Sequence, residues 1–434
     1  MIRSRLLPCL LTLLASAHLA GSASSGEFEI TVRGPSKPTT IPSPVSVPAP
    51  EGMKPGAWLL MARTDAGLKT MQAGVIELDG ERRLVVVRPE RLGRERIAYE
   101  ADPLHILGGG GLTIDRDGAG PNVAVTIGGK PFTTLVLTEP TKPYFYPMYG
   151  PTQEMITRSY PMDPKVEGEA RDHNHQRSHW LTHGDVNGFD FWASDPLNKP
   201  NPKFGRIVAK SVAWSPEVPS PVVALRLHNE WLAPDGHVVA REVRTYTFAD
   251  LSPARGFDVE SVISAPDDQP VTFGATKEGM FGFRVASSMD VKAKTVGKIN
   301  APSMDAKARN GGRIVNAEGL SDGDAWGKPS PWVDYTGPVA GQTVGIAILN
   351  HPSSFRFPTT WHVRDYGLFA ANPFGYKDFG IKKEGSHTIA AGQSIRFVYR
   401  VILHKGTTSD ENVAADFAAF ADTEGDVTVS VPAR

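Results

Sequence analysis

The chain has 434 residues, 46 of them basic and 47 acidic, enough for one large all-β domain or two ordinary ones. Charges that nearly cancel argue against a nucleic-acid backbone or an anionic membrane as the main partner. A single cysteine, Cys9, leaves neither a disulfide framework nor cysteine chemistry.

Arg3 and Arg5, the apolar run from Leu6 to Leu19 and the small residues Gly21, Ser22 and Ala23 read as a secretory signal over 1–23. The run is too short for a comfortable membrane span, so the expectation is a secreted or periplasmic protein. Residues 24–50 carry Pro35, Pro38, Pro42, Pro44, Pro48 and Pro50 and read as an extended, unpacked linker. A small β region is expected over 51–120, the main sandwich over 121–406, and a helix and tail over 407–434.

Strand signals then dominate. Val75 to Leu78, Asp79-Gly80 and Leu84 to Val87 read as a hairpin with a longer loop. Gly108 to Gly111 marks a break. Val123 to Ile127, Gly128-Gly129 and Phe132 to Leu137 form a second hairpin, and Asp235-Gly236 turns a third. Phe257, Val259 and Ile263 share one strand face, as do Ile395, Phe397, Tyr399 and Val401. This spacing predicts a large antiparallel β-sandwich. The clearest helix signal is a capping box from Thr408 to Glu411, followed by Val413, Phe417 and Phe420 at helical spacing. The expectation is that it packs on a sheet edge.

Residues with reactive side chains concentrate in three stretches. In the first, His173, His175 and Arg177 alternate as on one strand face, and His179 and His183 follow before a bend at Gly184 and Asn187-Gly188. Imidazoles can be acid, base or metal ligand near neutral pH. Asp185 and Asn187 offer clamps for hydroxyls, and Trp192 a face for a sugar to stack on. His173, His175 and His183, completed by Asp172 or Asp185, form the alternative, a divalent-metal set, although no His-Glu-x-x-His spacing accompanies it. In the second stretch, Thr276 to Arg284, Glu278 at a strand end beside glycines is a candidate base, or else an ion-pair partner of Lys277 or Arg284. The third stretch runs from Trp326 to Gly375 and mixes polar groups, aromatics and turn formers. His351, His362, Arg364 and Asn372 are its candidates for a cleft, whereas Tyr335 and Phe374 are expected to pack. There is no Gly-x-Ser-x-Gly elbow, phosphate loop or dinucleotide fingerprint.

Lys142-Pro143-Tyr144-Phe145-Tyr146-Pro147, Thr157-Arg158-Ser159-Tyr160-Pro161, the run from Asp172 to Trp192, Thr276-Lys277-Glu278-Gly279 and the region from Trp326 to Gly375 together resemble the bacterial family called PmoA-like, over roughly residues 120 to 406. Asn174 and Gln176 stand where that pattern has Pro and often His. The family label implies a methane-oxidising membrane subunit, which needs several apolar spans that this sequence lacks after its signal. The resemblance implies instead a galactose-mutarotase-like supersandwich that handles carbohydrate outside the cytoplasm. The expected reaction is proton transfer at a sugar, as in an epimerase, lyase or glycosidase. His183 is the expected acid, Glu278 the base and Arg177 the group that steadies negative charge, with His175 able to exchange with His183. His173, Asp185, Asn187, Trp192, Arg284, His351, His362, Arg364 and Asn372 are the expected substrate contacts. No cofactor is expected unless the metal alternative holds, and a non-catalytic glycan-binding protein is the other alternative.

Overall fold

A computed structural model describes residues 28–90, 92–104, 111–292 and 311–431. The signal reading over 1–23 and the glycines at 108 to 110 lie outside the described residues. Three antiparallel sheets and a small strand pair account for the 25 strands among them. The first sheet holds β1 (Glu29–Val32), β2 (Ser43–Pro48), β3 (Gly56–Thr64), β4 (Gly67–Leu78), β5 (Glu81–Arg88), β6 (Ile97–Pro103) and β25 (Val427–Ser430). The second holds β7 (Leu112–Arg116), β8 (Val123–Ile127), β9 (Lys130–Val136), β10 (Tyr144–Met148), β11 (His179–His183), β17 (Gly279–Arg284), β21 (Trp361–Val363) and β22 (Leu368–Ala371). The third holds β12 (Arg206–Ser215), β13 (Val222–Leu232), β14 (Val238–Ala249), β15 (Arg255–Ser264), β18 (Arg313–Asn316), β19 (Trp332–Val339), β20 (Gln342–Asn350) and β24 (Ser394–Lys405). β16 (Val271–Phe273) pairs with β23 (His387–Ile389).

The protein is an all-β sandwich with few short helices. Period-2 alternation supplies its main core. Phe145, Leu181, Phe281 and Phe283 from the second sheet meet Leu225, Tyr246, Phe257, Val259, Phe397 and Tyr399 from the third. One ion pair lies inside this core. Arg244 Nε donates to Glu242 Oε1 at 2.6 Å, and Ser261, Asn229 and Trp231 also donate to that carboxylate. A buried charge needs this degree of satisfaction. The opposite face of the third sheet packs through Val222, Ala224, Ala347, Leu349 and Ile402 on Ile76, Leu78, Val85 and Val87 of the first sheet. The three sheets are therefore stacked, the third in the middle.

Residues 24–50 are not an unpacked tether where they are described. Ile30 and Val32 on β1, and Val45 on β2, are buried in the first sheet's own core with Trp58, Leu60 and Tyr99. Prolines are compatible with this because β2 is the edge strand, pairing only with β5. An edge strand leaves room for residues without an N–H. The expected boundary at 120 also moves, since β7 pairs with β8 in the second sheet. The tail returns to the start of the chain, with β25 pairing along β1.

Asp79-Gly80 makes a two-residue turn, Leu78 pairing with Glu81, rather than a longer loop. Both residues have positive φ, 52° and 78°, as a type I′ hairpin requires. Gly128 and Gly129 turn β8 into β9 in the same way, at 57° and 71°. The capping box falls one residue earlier than expected. Thr407 Oγ1 accepts from the Asp410 N–H at 3.4 Å, and Asp410 Oδ2 accepts from the Thr407 N–H at 2.8 Å. Helix α1 (Thr408–Glu411) ends at left-handed Asn412, and α2 (Val413–Ala421) buries Val413 and Phe420 against the first and third sheets. Thr407→Ala is expected to destabilise the protein by about 1 kcal/mol, read as a lower urea midpoint with unchanged slope. Among the described residues, no helix is long and apolar enough to cross a membrane.

Candidate functional site

The face of the second sheet that turns away from the sandwich core carries the site. Cross-strand register aligns His362, Ala370, Gly282, Trp180, Tyr144 and Val136 in one row over six strands. Small residues are required in its middle. A Cβ on Gly282 would come within 2.9 Å of the Trp180 ring. Trp192 lies against Trp180, ring centroids 5.2 Å apart. Four polar atoms on or over this face are buried without a hydrogen-bond partner among the described residues: Trp180 Nε1, Thr182 Oγ1, Trp192 Nε1 and His362 Nε2. Burying such atoms unpaired costs free energy, so a face that concentrates them is a candidate for binding a polar ligand.

The segment before β11 is a loop, not a strand. His173 has φ 44° and Ser178 φ 50°. It takes its shape from Arg158, whose buried guanidinium donates to the carbonyls of Ala170, Asp172, His173 and Gln176. Arg158 Nη1 and Arg284 Nη2 both donate to Asp172 Oδ1, at 2.8 and 2.9 Å. Burial pushes Arg158 down to about 9. The other carboxylate oxygen, Asp172 Oδ2, lies 3.3 Å from His173 Nδ1. That is ion-pair distance for a protonated ring, with no hydrogen bond between the two side chains.

The His173 ring stacks on Tyr366 at 5.3 Å and meets the His175 ring at 5.8 Å. His175 leans on Trp192 at 6.1 Å. Burial pushes its pKa down to about 2, aided by nearby Lys142 and His173, so it is a neutral hydrogen-bonding ring and a poor base. Lys142, enclosed below it, donates to the Ser194 carbonyl at 3.0 Å, and burial lowers its pKa to about 7. Glu278 is half-exposed and paired with Lys277 at 3.1 Å. It sits at the head of β17, next to the Lys277 carbonyl that meets His362 Nδ1 at 2.8 Å.

The structure thus gathers His173, His175, Glu278, Arg284, His362 and Arg364. It separates the others. His183 points into the sandwich core between Phe273 and Phe374, with Nε2 2.8 Å from the Gly274 carbonyl. Strand parity explains this, because His179, Leu181 and His183 share the inward face while Trp180 and Thr182 face outward. Burial lowers His183 to about 4 and His179 to about 3. His183, sealed in the core, is therefore not placed to act as the acid at this face, and the metal set of His173, His175 and His183 does not converge. Arg177 is held by Asp195 at 2.6 Å and stands 3.4 Å from Glu139, so it anchors a loop. Asp185 and Asn187 shape their turn. Asp185 Oδ1 accepts from the Gly188 N–H, and Asn187 Oδ1 accepts from the Thr272 N–H at 2.7 Å. Trp192 is buried and offers no open face. Asn372 is buried with its amide spent on the Thr276 carbonyl and the Phe374 N–H. His351 lies elsewhere, its ring edge-on to Phe420 of α2 at 4.9 Å.

Sequence reasoning assigned no role to Arg158, Tyr366 or Trp326, although all lie in motifs singled out. The signal was available only for Arg158, as an arginine amid Thr157, Ser159 and Tyr160 with no acidic neighbour in sequence. Arg364 is stacked over the rings of Trp326 and Tyr366, 5.8 and 5.4 Å from their centroids.

Fold and site define a β-sandwich protein with polar and aromatic side chains gathered on one sheet face. The model of a family of unknown function (DUF6807) matches residues 122–418, and the chain belongs to that family. The matched region takes in all the residues gathered on this face and most of the second and third sheets. No curated protein gives a significant match.

Proposed function

We propose that this is an exported carbohydrate-active protein performing acid–base chemistry on a sugar at the outer face of the second sheet. The observation that carries the reading is the Asp172–His173 pair, fixed from behind by two buried arginines and stacked on Tyr366. A part-exposed imidazole beside a carboxylate, with Glu278 at the head of a strand of the same sheet, offers the groups of a general acid–base pair. The role expected for His183 passes to His173, with Glu278 as its partner. The unpartnered His362 Nε2 and the part-exposed His173 ring, whose other face stacks on Tyr366, suit a ligand that offers hydroxyls and an apolar face. The signal-like sequence over 1–23 supports export.

Turnover on a panel of oligosaccharides tests this. His173→Gln and Glu278→Gln should each lower kcat/KM by about 10²- to 10⁴-fold, the usual contribution of a positioned acid or base. Unchanged turnover in both variants rejects the assignment. The Lys277–Glu278 ion pair favours a second reading, a glycan-binding protein without turnover. Calorimetric binding with no product, unaffected by Glu278→Gln, would establish it.

A further inference from the structure

We infer that the sugar handled at this face is acidic, and that Arg364 clamps its carboxylate while His362 accepts one of its hydroxyls. This rests on the carbohydrate reading above and adds the charge class of the substrate.

The neighbouring cations on or beneath this face have a partner or an enclosure. Arg158 and Arg284 share Asp172, Arg177 has Asp195 and Lys277 has Glu278. Lys142 is enclosed against the Trp192 and Ser194 carbonyls. Arg364 differs. Its guanidinium has neither a carboxylate nor a hydrogen-bond acceptor among the described residues, and the rings of Trp326 and Tyr366 hold it. The two ring contacts hold the guanidinium and leave its N–H fork unused, free for bidentate binding of a carboxylate.

Two residues earlier, on β21, His362 is 2 % exposed. Its Nδ1 lies 2.8 Å from the Lys277 carbonyl. A carbonyl only accepts, so Nδ1 carries the proton and Nε2 presents a lone pair. That Nε2 is buried with no partner among the described residues, and only a donor such as a hydroxyl can satisfy it. Phe379 connects the two positions, edge-on to Trp326 at 5.2 Å and to His362 at 6.2 Å. A lone pair that needs a hydroxyl, near a fork that needs an anionic oxygen pair, describes a uronic acid.

The test is calorimetry with oligosaccharides of galacturonate, glucuronate and mannuronate, each beside its carboxyl-reduced counterpart. The wild type should bind at least one acidic form roughly tenfold or more tighter than its reduced counterpart, as expected for loss of a charge-assisted contact. Arg364→Gln should bind both forms equally, at the affinity the wild type has for the reduced one. Arg364→Lys keeps the charge without the planar fork and should retain part of the preference. Equal binding of acidic and reduced forms by the wild type overturns the inference and leaves the carbohydrate reading standing. Acid preference that survives in folded Arg364→Gln overturns the role of Arg364. No binding of any member overturns both the inference and the reading beneath it.

Discussion

Asp172→Asn should lower the stability of the protein by about 3 kcal/mol or more, the cost of removing one partner from a buried ion pair. The size follows from what the carboxylate does. Arg158 and Arg284 have no side-chain exposure, and both donate to the same oxygen, Asp172 Oδ1. The asparagine keeps an acceptor but removes the charge that offsets two buried guanidinium groups. Arg158 also holds four carbonyls of the loop that presents His173 and His175, so the site should loosen with the fold. Urea unfolding at constant slope measures the loss. Asp365→Asn is the control. Its partner Lys292 is exposed, the two being 3.3 Å apart, and the change should be within about 1 kcal/mol. Equal effects from the two substitutions would show that the shared carboxylate has no special weight.

Replacing His179 should flatten the acid side of the stability profile. This imidazole is fully buried, stacked on Phe283 at 4.2 Å and surrounded by Phe145, Tyr246, Phe257 and Phe281. Burial lowers its pKa to about 3, against 6.5 for a free imidazole. Between those values the unfolded chain binds a proton that the folded one refuses. Stability from this group is therefore complete above pH 6.5 and declines as pH falls toward 3, by about 1.4 kcal/mol per pH unit. His183 behaves likewise down to about 4. Asp290, Glu411 and Asp416 act in the opposite sense, since burial raises them to about 7, 8 and 6, and they favour folding as pH falls. The difference between wild type and His179→Phe isolates the one imidazole. The wild type's advantage over the variant should shrink by about 2 kcal/mol between pH 8 and pH 5. Parallel profiles for the two proteins would mean that His179 is protonated without cost in the folded state.

Hairpins were readable because their signals are local. Asp79-Gly80, Gly128-Gly129 and Asp235-Gly236 need only their own φ angles to turn a strand, and alternation in β15 and β24 needs only the pleat. The N-terminal prolines misled for a related reason. A proline-rich tract and an edge strand satisfy the same local rule, a residue without an N–H, and only the distant partner β5 distinguishes them. The candidate site was legible as a neighbourhood. The stretches 172–192, 276–284 and 326–375 do meet on one sheet face, apart from members such as His351 that look elsewhere.

Composition, alternation and turn chemistry within the chain determined that this is an all-β sandwich and that its reactive side chains lie in a few short stretches. Tertiary structure alone decided which imidazoles face a ligand. The parity of β11 groups His179 with His183 and opposes them to Trp180, but nothing within five residues states which side meets the third sheet. That side was chosen by long-range packing, which sealed two histidines in the core and left His173 at the surface beside a carboxylate held by two arginines.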